Sequence, residues 1–539
     1  MLNLEIIIGI LLGILLSYST YLIKNKQKLL LLYRIKHLHF WLVLLLSLYT
    51  AFSLIGGMFF LPEGILWQFK TYEFILYLLL SIVIFFNYIL LIEWLQTKSS
   101  KQYIVQNNIQ LFYWQSFCLF FGIGLIYWII YFPGFLSNDS YQVLYMVQNN
   151  DFNTHHTILY ASFIKLLWLI IRIFSTDYNI GVGFLTLVQV TTFSLIYSLW
   201  CTFFYQYCFS KKVLLIVFGL FQIIPVNASF MIILWKDIYY VQGVLLLAYL
   251  FLQFYINSKY TKKNIFLIIL GMILSFVGMI RFNGIGILFC GLLLLFIYAI
   301  QHKNWKIFFI PFLSSLSCIL IVNIMLFNAL SFSQTLTIHK SSLVFHPINT
   351  AYLYKQEESL HPEILKLTKS VDINIWMDAQ YDYITKMFWA DTNEQNTKDF
   401  YNIADNLTKD NKTLLSYYFY TWIGSPFIHL RTRLNFIGIS WNSHVSPTGI
   451  TANYLGDKSY FLIPLWLTTL ILLFYGVYCF LYKKIINLVI LFPWIMNLAV
   501  LFFVSQATDW RYFALANWLS LFAIFLLPIS FKNSKKIKI

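Results

Sequence analysis

Apolar runs of close to twenty residues alternate with short basic clusters along almost the whole chain. A helix of about 20 apolar residues crosses the hydrocarbon core of a bilayer. Barrel strands would be about ten residues long with alternating polarity, which is not the pattern here. The runs predict spans near 4–23, 38–60, 74–96, 110–132, 181–208, 213–234, 238–256, 264–281, 284–300, 307–329, 460–482, 486–505 and 512–530. The expected fold class is therefore an all-α polytopic membrane protein with about thirteen transmembrane helices. The first run, Leu4 to Ile23, lacks a basic leader and a small-residue cleavage site, so it reads as a retained span.

Charge sets the expected topology. Basic clusters occur at Lys24/Lys26/Lys28 with Arg34/Lys36, at Lys98/Lys101, Lys211/Lys212, Lys259/Lys262/Lys263, Lys303/Lys306, Lys483/Lys484 and in the tail from Lys532 to Lys538. The positive-inside rule puts all of them in the cytoplasm. That works with the N-terminus outside, provided the apolar stretch 155–174 does not cross. The stretch carries Ser162, Lys165 and Arg172 on one helical face, which fits a helix lying in the membrane interface. An ordinary span with snorkelling cations is the alternative.

Composition agrees with lipid as the solvent. The 539 residues are 60% hydrophobic and 11% charged, where soluble domains are about 25% charged. The formal charge of +16 then reflects cytoplasmic anchors and membrane lipid, with no nucleic acid implied as a partner. The abundance of Ile, Lys, Asn, Phe and Tyr has the flavour of a low-GC bacterium. All six cysteines lie in apolar runs without zinc-type spacing and read as free buried thiols.

Twelve of the 21 acids lie between Glu357 and Asp457, inside a long polar insertion that parity places outside. An insertion of this length folds at least in part, and 413–440 reads as re-entering or lying along the membrane. The expected organisation is N-terminal spans over 1–109, a core membrane module over 110–329 with an outer loop at 133–180, an extracytoplasmic unit over 330–459, and C-terminal spans with a basic tail over 460–539.

The remaining acids, apart from Glu93 near the inner end of its span, collect on the predicted outer side, and membrane-edge charges are functional candidates by default. One place is the loop Tyr131 to Gln142, with Asp139 after Pro133-Gly134, followed by His155-His156. The others are Trp235-Lys236-Asp237, the turn Met279 to Gly284 with Arg281 and Asn283, and Thr508-Asp509-Trp510-Arg511-Tyr512. Carboxylates beside cations suit attack by a hydroxyl on a carbon that carries a phosphate leaving group. A carboxylate removes the hydroxyl proton, and cations stabilise the departing phosphate. Each place also has a structural reading. Asp139 can cap a helix over 140–148. Lys236-Asp237 can pair at a helix end, Arg281 can anchor a headgroup, Arg511 with Tyr512 can belong to an aromatic belt, and His155-His156 can open a helix.

At these residues the chain resembles the GT-C superfamily, multi-span glycosyltransferases that use polyprenyl-phosphate-linked sugars. The resemblance rests on Tyr131-Phe-Pro-Gly134 leading to Asp139, on Tyr141-Gln142, on His155-His156-Thr-Ile-Leu-Tyr160 and on Trp235-Lys236-Asp237. It covers roughly 110–300, and it extends to protein O-mannosyl and aminoarabinose transferases only in fold and first-loop acid. It implies Asp139 as catalytic base or, if a divalent metal takes part, as its ligand. It implies Asp237 as a second carboxylate and Lys236, Arg281 and Arg511 as cations near the donor phosphate. His155, His156, Gln142, Asn283 and Tyr512 are supporting candidates. The chain departs from the family at Thr157, where a proline is expected, so the start of the juxtamembrane helix stays open.

The expected activity is transfer of a sugar from a polyprenyl phosphate to a hydroxyl of a cell-envelope glycan, lipid-linked polymer or protein. One rival is an O-antigen polymerase or ligase type of enzyme, which would use His429, Arg431, Arg433 and His444. Another is a transporter or flippase of lipid-linked sugars, which would need charges along a path through the membrane. With Ser137→Cys, an impermeant thiol reagent is expected to label intact cells; labelling only after the cells are opened reverses the orientation.

Overall fold

The computed structural model describes residues 37–55, 71–98, 108–153, 156–207, 209–257, 259–332, 338–353, 355–369, 371, 376, 395–436, 465–482, 484–504 and 513–529. Among them there are helices and one isolated parallel bridge, Phe135 with Ile233. In chain order the helices used below are α1 (His37–Ile55), α2 (Thr71–Lys98), α3 (Ile109–Ile130), α4 (Asn138–Asn149), α5 (Ile158–Arg172), α6 (Tyr178–Gln206), α7 (Lys211–Ile223), α8 (Pro225–Ile232), α9 (Lys236–Ile256), α10 (Asn264–Ile280), α11 (Gly284–His302) and α12 (Lys306–Ala329). They continue with α13 (Ser342–Leu353), α14 (Pro362–Thr368), α15 (Gln395–Thr408), α16 (Asn411–Gly424), α17 (Pro426–Phe436), α18 (Leu465–Leu481), α19 (Phe492–Val504) and α20 (Leu515–Leu526).

Five of these, α3, α6, α9, α11 and α12, are long and apolar enough to cross a membrane, which makes this a helical, membrane-embedded chain. The regions expected to span in α1, α2, α10, α18, α19 and α20 are apolar helical segments of 10–17 residues. The expected span 4–23 lies outside the described residues. The stretch 213–234, expected as one span, is two helices bent by 72°. Pro225 causes the break: it lacks an N–H and forces Ile224 into an extended conformation, then starts α8 at its first turn. The 486–505 stretch opens as a 3-10 segment, Ile485–Ile490, before α19.

Helices α6, α9 and α20 are mostly buried in protein. Lipid is as apolar as leucine, so packing rather than water exclusion joins such helices. Aromatic rings do much of it: Trp200 stacks on Phe522 at 4.3 Å between centroids, and Phe193 and Tyr197 meet Trp518 edge-on at 4.6 and 5.6 Å. The opposite surfaces of α3, α11 and α12 carry exposed large apolar residues such as Ile129, Phe289 and Met325, as a lipid-facing surface requires. The described cysteines are all free, and Cys118 is exposed, not buried as expected.

A separate apolar core, centred on Phe345, Ile348, Trp376 and Phe400, organises the insertion. Helices α13 to α17 surround it, and Tyr418 ties it to α19 by donating to the Phe503 carbonyl at 2.9 Å. Leu415, Phe419, Ile423 and Phe427 form an exposed apolar row on α16 and α17, a shape that suits an element lying on lipid.

Helix α5 turns the face that carries Ser162 and Lys165 toward protein. Ser162 is buried. Lys165 donates to the Val147 carbonyl at 2.8 Å and to Asn150 Oδ1 at 2.6 Å, closing the end of α4. Arg172 lies over the Trp168 ring at 4.3 Å. The outward face is Leu166, Leu169, Ile173 and Phe174. Polar groups are the ones that need protein partners when the solvent is lipid, so they turn inward.

Gly134, just after α3, has φ +111°, and a Cβ there would sit 2.6 Å from the Ile232 carbonyl oxygen. Gly134→Ala is expected to cost at least about 1–3 kcal/mol through backbone strain alone. Thermal unfolding in detergent checks this; an unchanged midpoint would mean the loop relaxes freely.

Candidate active site

Two loops far apart in sequence are joined by main-chain hydrogen bonds. Phe135 N donates to the Ile232 carbonyl at 3.2 Å, and Leu234 N donates to the Phe135 carbonyl at 3.1 Å. Side chains reinforce the join. Ser140 Oγ donates to the Leu234 carbonyl at 2.7 Å, and Trp235 Nε1 donates to Ser137 Oγ. From below, Gln189 of α6 donates to the carbonyls of Met231 and Ile233 at 2.7 and 2.8 Å. Thr186 donates to the Pro133 carbonyl at 2.7 Å and accepts from Trp128 Nε1 at 3.0 Å.

This join sets the position of Asp139. The cap of α4 is Ser137, which exchanges hydrogen bonds with Ser140 in a capping box, so Asp139 is not the cap that the sequence suggested. Asp139 lies in the first turn, where the helix dipole favours a carboxylate. It is half-buried rather than open to solvent.

Asp237 occupies the equivalent place in the first turn of α9 and is almost fully buried. Its partner is Arg281, not its neighbour Lys236: the guanidinium lies 2.5 Å from Asp237 Oδ1, and both side chains are buried. Arg281 also lies over the Tyr240 ring at 5.6 Å, and Tyr240 donates to Asn497 Oδ1 at 2.9 Å. The turn carrying Arg281 is tight. Gly284 N closes it on the Arg281 carbonyl at 2.9 Å, and a Cβ on Gly284 would overlap the Val277 carbonyl oxygen at 1.8 Å. Asn283 is buried in this turn, and its Nδ2 finds no acceptor among the described residues. Lys236, half-buried, begins α9, where the dipole opposes a cation and an anion would be welcome.

Helix α5 completes the site. It begins at Ile158, with Thr157 in the flanking position. Thr157 does not cap α5 with its side chain; its hydroxyl donates to the Ile280 carbonyl at 2.9 Å, next to Arg281. His156 is buried just before the helix, with its ring centroid 6.3 Å from that of Tyr160. Tyr160 is buried 6.2 Å from the ring of Tyr239, and both hydroxyls lack a hydrogen-bond partner among the described residues. Burial, followed by Tyr239 and the carboxylates of Asp139 and Asp237, pushes the Tyr160 hydroxyl well above the usual tyrosine range. It therefore stays protonated and able to donate, within electrostatic reach of both acids.

A cavity of about 810 Å³ opens beside α4, and both Gln142 and His156 line it. Gln142 Oε1 is buried and has no donor among the described residues.

The structure thus gathers Asp139, Asp237, Arg281, His156, Thr157 and Tyr160 around one junction of α4, α5, α9 and the α10–α11 turn. His155, Arg511, Tyr512 and His444 lie outside the described residues. Among the described residues no three His, Cys, Asp or Glu side chains form a group that would hold a metal ion. Tyr160, Tyr239 and Gln189 were not singled out as site residues in the sequence. The readable signals were a glutamine in the middle of an apolar run and a tyrosine one helical turn after His156.

The arginine and histidine of the insertion serve its own core. Arg433 Nε donates to His429 Nε2 at 3.1 Å, and its guanidinium donates to the Leu343 carbonyl at 2.9 Å. Nε2 accepts, so Nδ1 carries the proton and donates to Thr421 at 2.8 Å. Burial and the neighbouring Arg433 push the His429 imidazole down to about 2, so it is neutral.

Compared with known proteins, the chain matches no family model, no curated protein and no solved structure.

Breaking a buried ion pair leaves one charge uncompensated, at a cost of about 3–5 kcal/mol. Asp237→Ala and Arg281→Ala are each expected to destabilise by that amount. The double variant is expected to lose less than the sum, as measured by denaturation in detergent. Additive losses would show that the two side chains act independently.

Proposed function

We propose that the chain is a membrane glycosyltransferase of the GT-C kind that moves a sugar from a polyprenyl phosphate to an acceptor hydroxyl. The observation that carries the reading is the join between the first loop and the Ile232–Asp237 turn. It brings a half-buried carboxylate, a buried carboxylate–guanidinium pair and a protonated tyrosine into one place at the edge of the membrane helices.

In this reading Asp139 takes the proton of the acceptor hydroxyl. The acceptor oxygen forms its bond to the anomeric carbon as the bond from that carbon to the phosphate oxygen breaks. The electron pair leaves with the polyprenyl phosphate. Asp237 positions Arg281, which faces the developing phosphate charge together with Lys236 at the start of α9. A cation in a water-poor site does this more effectively than one in water. Tyr160 donates a hydrogen bond into the space between the acids. Arg511 remains a candidate cation for the donor phosphate, and Tyr512 and His155 remain supporting candidates.

The same reading takes about thirteen spans, with the site on the extracytoplasmic side and the basic clusters in the cytoplasm. Donor arriving through the bilayer explains a site at membrane depth. The acceptor is an envelope glycan, a lipid-linked polymer or a protein. The polymerase or ligase reading loses ground because Arg433 and His429 are committed to the packing of the insertion.

Asp139→Asn is expected to lower transfer of labelled sugar from the lipid phosphate by about 10²–10⁴-fold, with normal insertion. Arg431→Ala is expected to keep transfer. Full activity in Asp139→Asn together with loss in Arg431→Ala would move the chemistry to the insertion.

A further inference from the structure

The cavity beside α4 has a lining that says what it can hold. Its volume, about 810 Å³, lies in the range of roughly 300–1,000 Å³ usual for small-molecule sites. Tyr141 and Tyr145 of α4 line it, with Tyr178 from the start of α6. Tyr141 and Tyr145 are four residues apart and share one helical face. The two residues are 55% and 59% exposed, so they are not core residues that happen to border a gap. Gln148, Asn153 and Asp151 supply the polar part of the wall.

That set excludes two occupants. A phosphate needs cations, and the described lining contains no lysine or arginine while it carries the carboxylate of Asp151. A lipid chain would strip water from Gln148, Asn153 and Asp151 without returning hydrogen bonds. An uncharged sugar satisfies every part of the wall. Tyrosine rings cover the C–H faces of a pyranose with rigid, amphipathic area. Amide and carboxylate groups exchange hydrogen bonds with ring hydroxyls.

The position fits the chemistry as well. Gln142 and His156 belong to the same wall, and His156 leads to Tyr160 and so to the two acids. We propose that this cavity binds an uncharged saccharide and that, resting on the transferase reading above, the saccharide is the acceptor. The acceptor is then a neutral glycan end, recognised apart from the donor phosphate.

Saturation-transfer NMR on the full chain in lipid nanodiscs tests the assignment, with maltose, cellobiose, lactose and N,N′-diacetylchitobiose as probes. At least one is expected to bind. Affinity is expected to fall about tenfold in Tyr145→Ala, the loss of one aromatic contact. A similar fall is expected in Gln148→Ala. Inorganic phosphate is expected not to compete. Failure of every disaccharide to bind, equal binding in both wall variants, or displacement by phosphate would each overturn the proposal. Truncating Tyr145 disturbs little packing because the ring is exposed, and Gln148→Ala provides a second reading of the same wall. Disaccharide binding alongside full transfer in Asp139→Asn would remove the Asp139 mechanism and leave the saccharide site standing.

Discussion

The structure depends on one short parallel pairing of main chain, Phe135 against Ile232 to Leu234. Unpaired backbone groups buried in protein are expensive, so two irregular loops that meet there must satisfy each other. Everything around the pairing serves it. The bend at Pro225 turns the chain toward it, Gly134 lets the partner backbone approach, and Gln189 holds its far side. The consequence is that α4 and α9 start side by side, and each carries an acid in its first turn.

Electrostatics then divides the two acids. Asp237 is fully committed to Arg281, and the pair lies in protein where neither charge is tolerable alone. Asp139 sits in a less buried first turn and borders a hydroxyl that stays protonated. Two carboxylates of the same chemical type thus have different environments, one almost fully buried and one half-buried.

The insertion follows a different logic. Its core around Phe345, Trp376 and Phe400 has its own polar network, with Arg433, His429 and Thr421 passing hydrogen bonds inward. Arginine and histidine in a polar insertion look reactive when only their chemistry is known. Buried and mutually satisfied, they are structural groups of a folded unit.

Apolar run length determined, by itself, that this chain is helical and membrane-embedded, because no other backbone arrangement of that length satisfies its hydrogen bonds in lipid. The sequence also marked Asp139, Asp237 and Arg281, because charge is rare in such a chain and stands out. It did not determine pairing. Adjacency favoured Lys236 with Asp237, whereas successive helical residues point about 100° apart and Arg281 arrives from the turn between α10 and α11. The bend within 213–234 and the inward turn of Lys165 were likewise decided by neighbours absent from the local sequence. Periodicity reports what one helix prefers; partners, caps and pockets arise only where several helices meet.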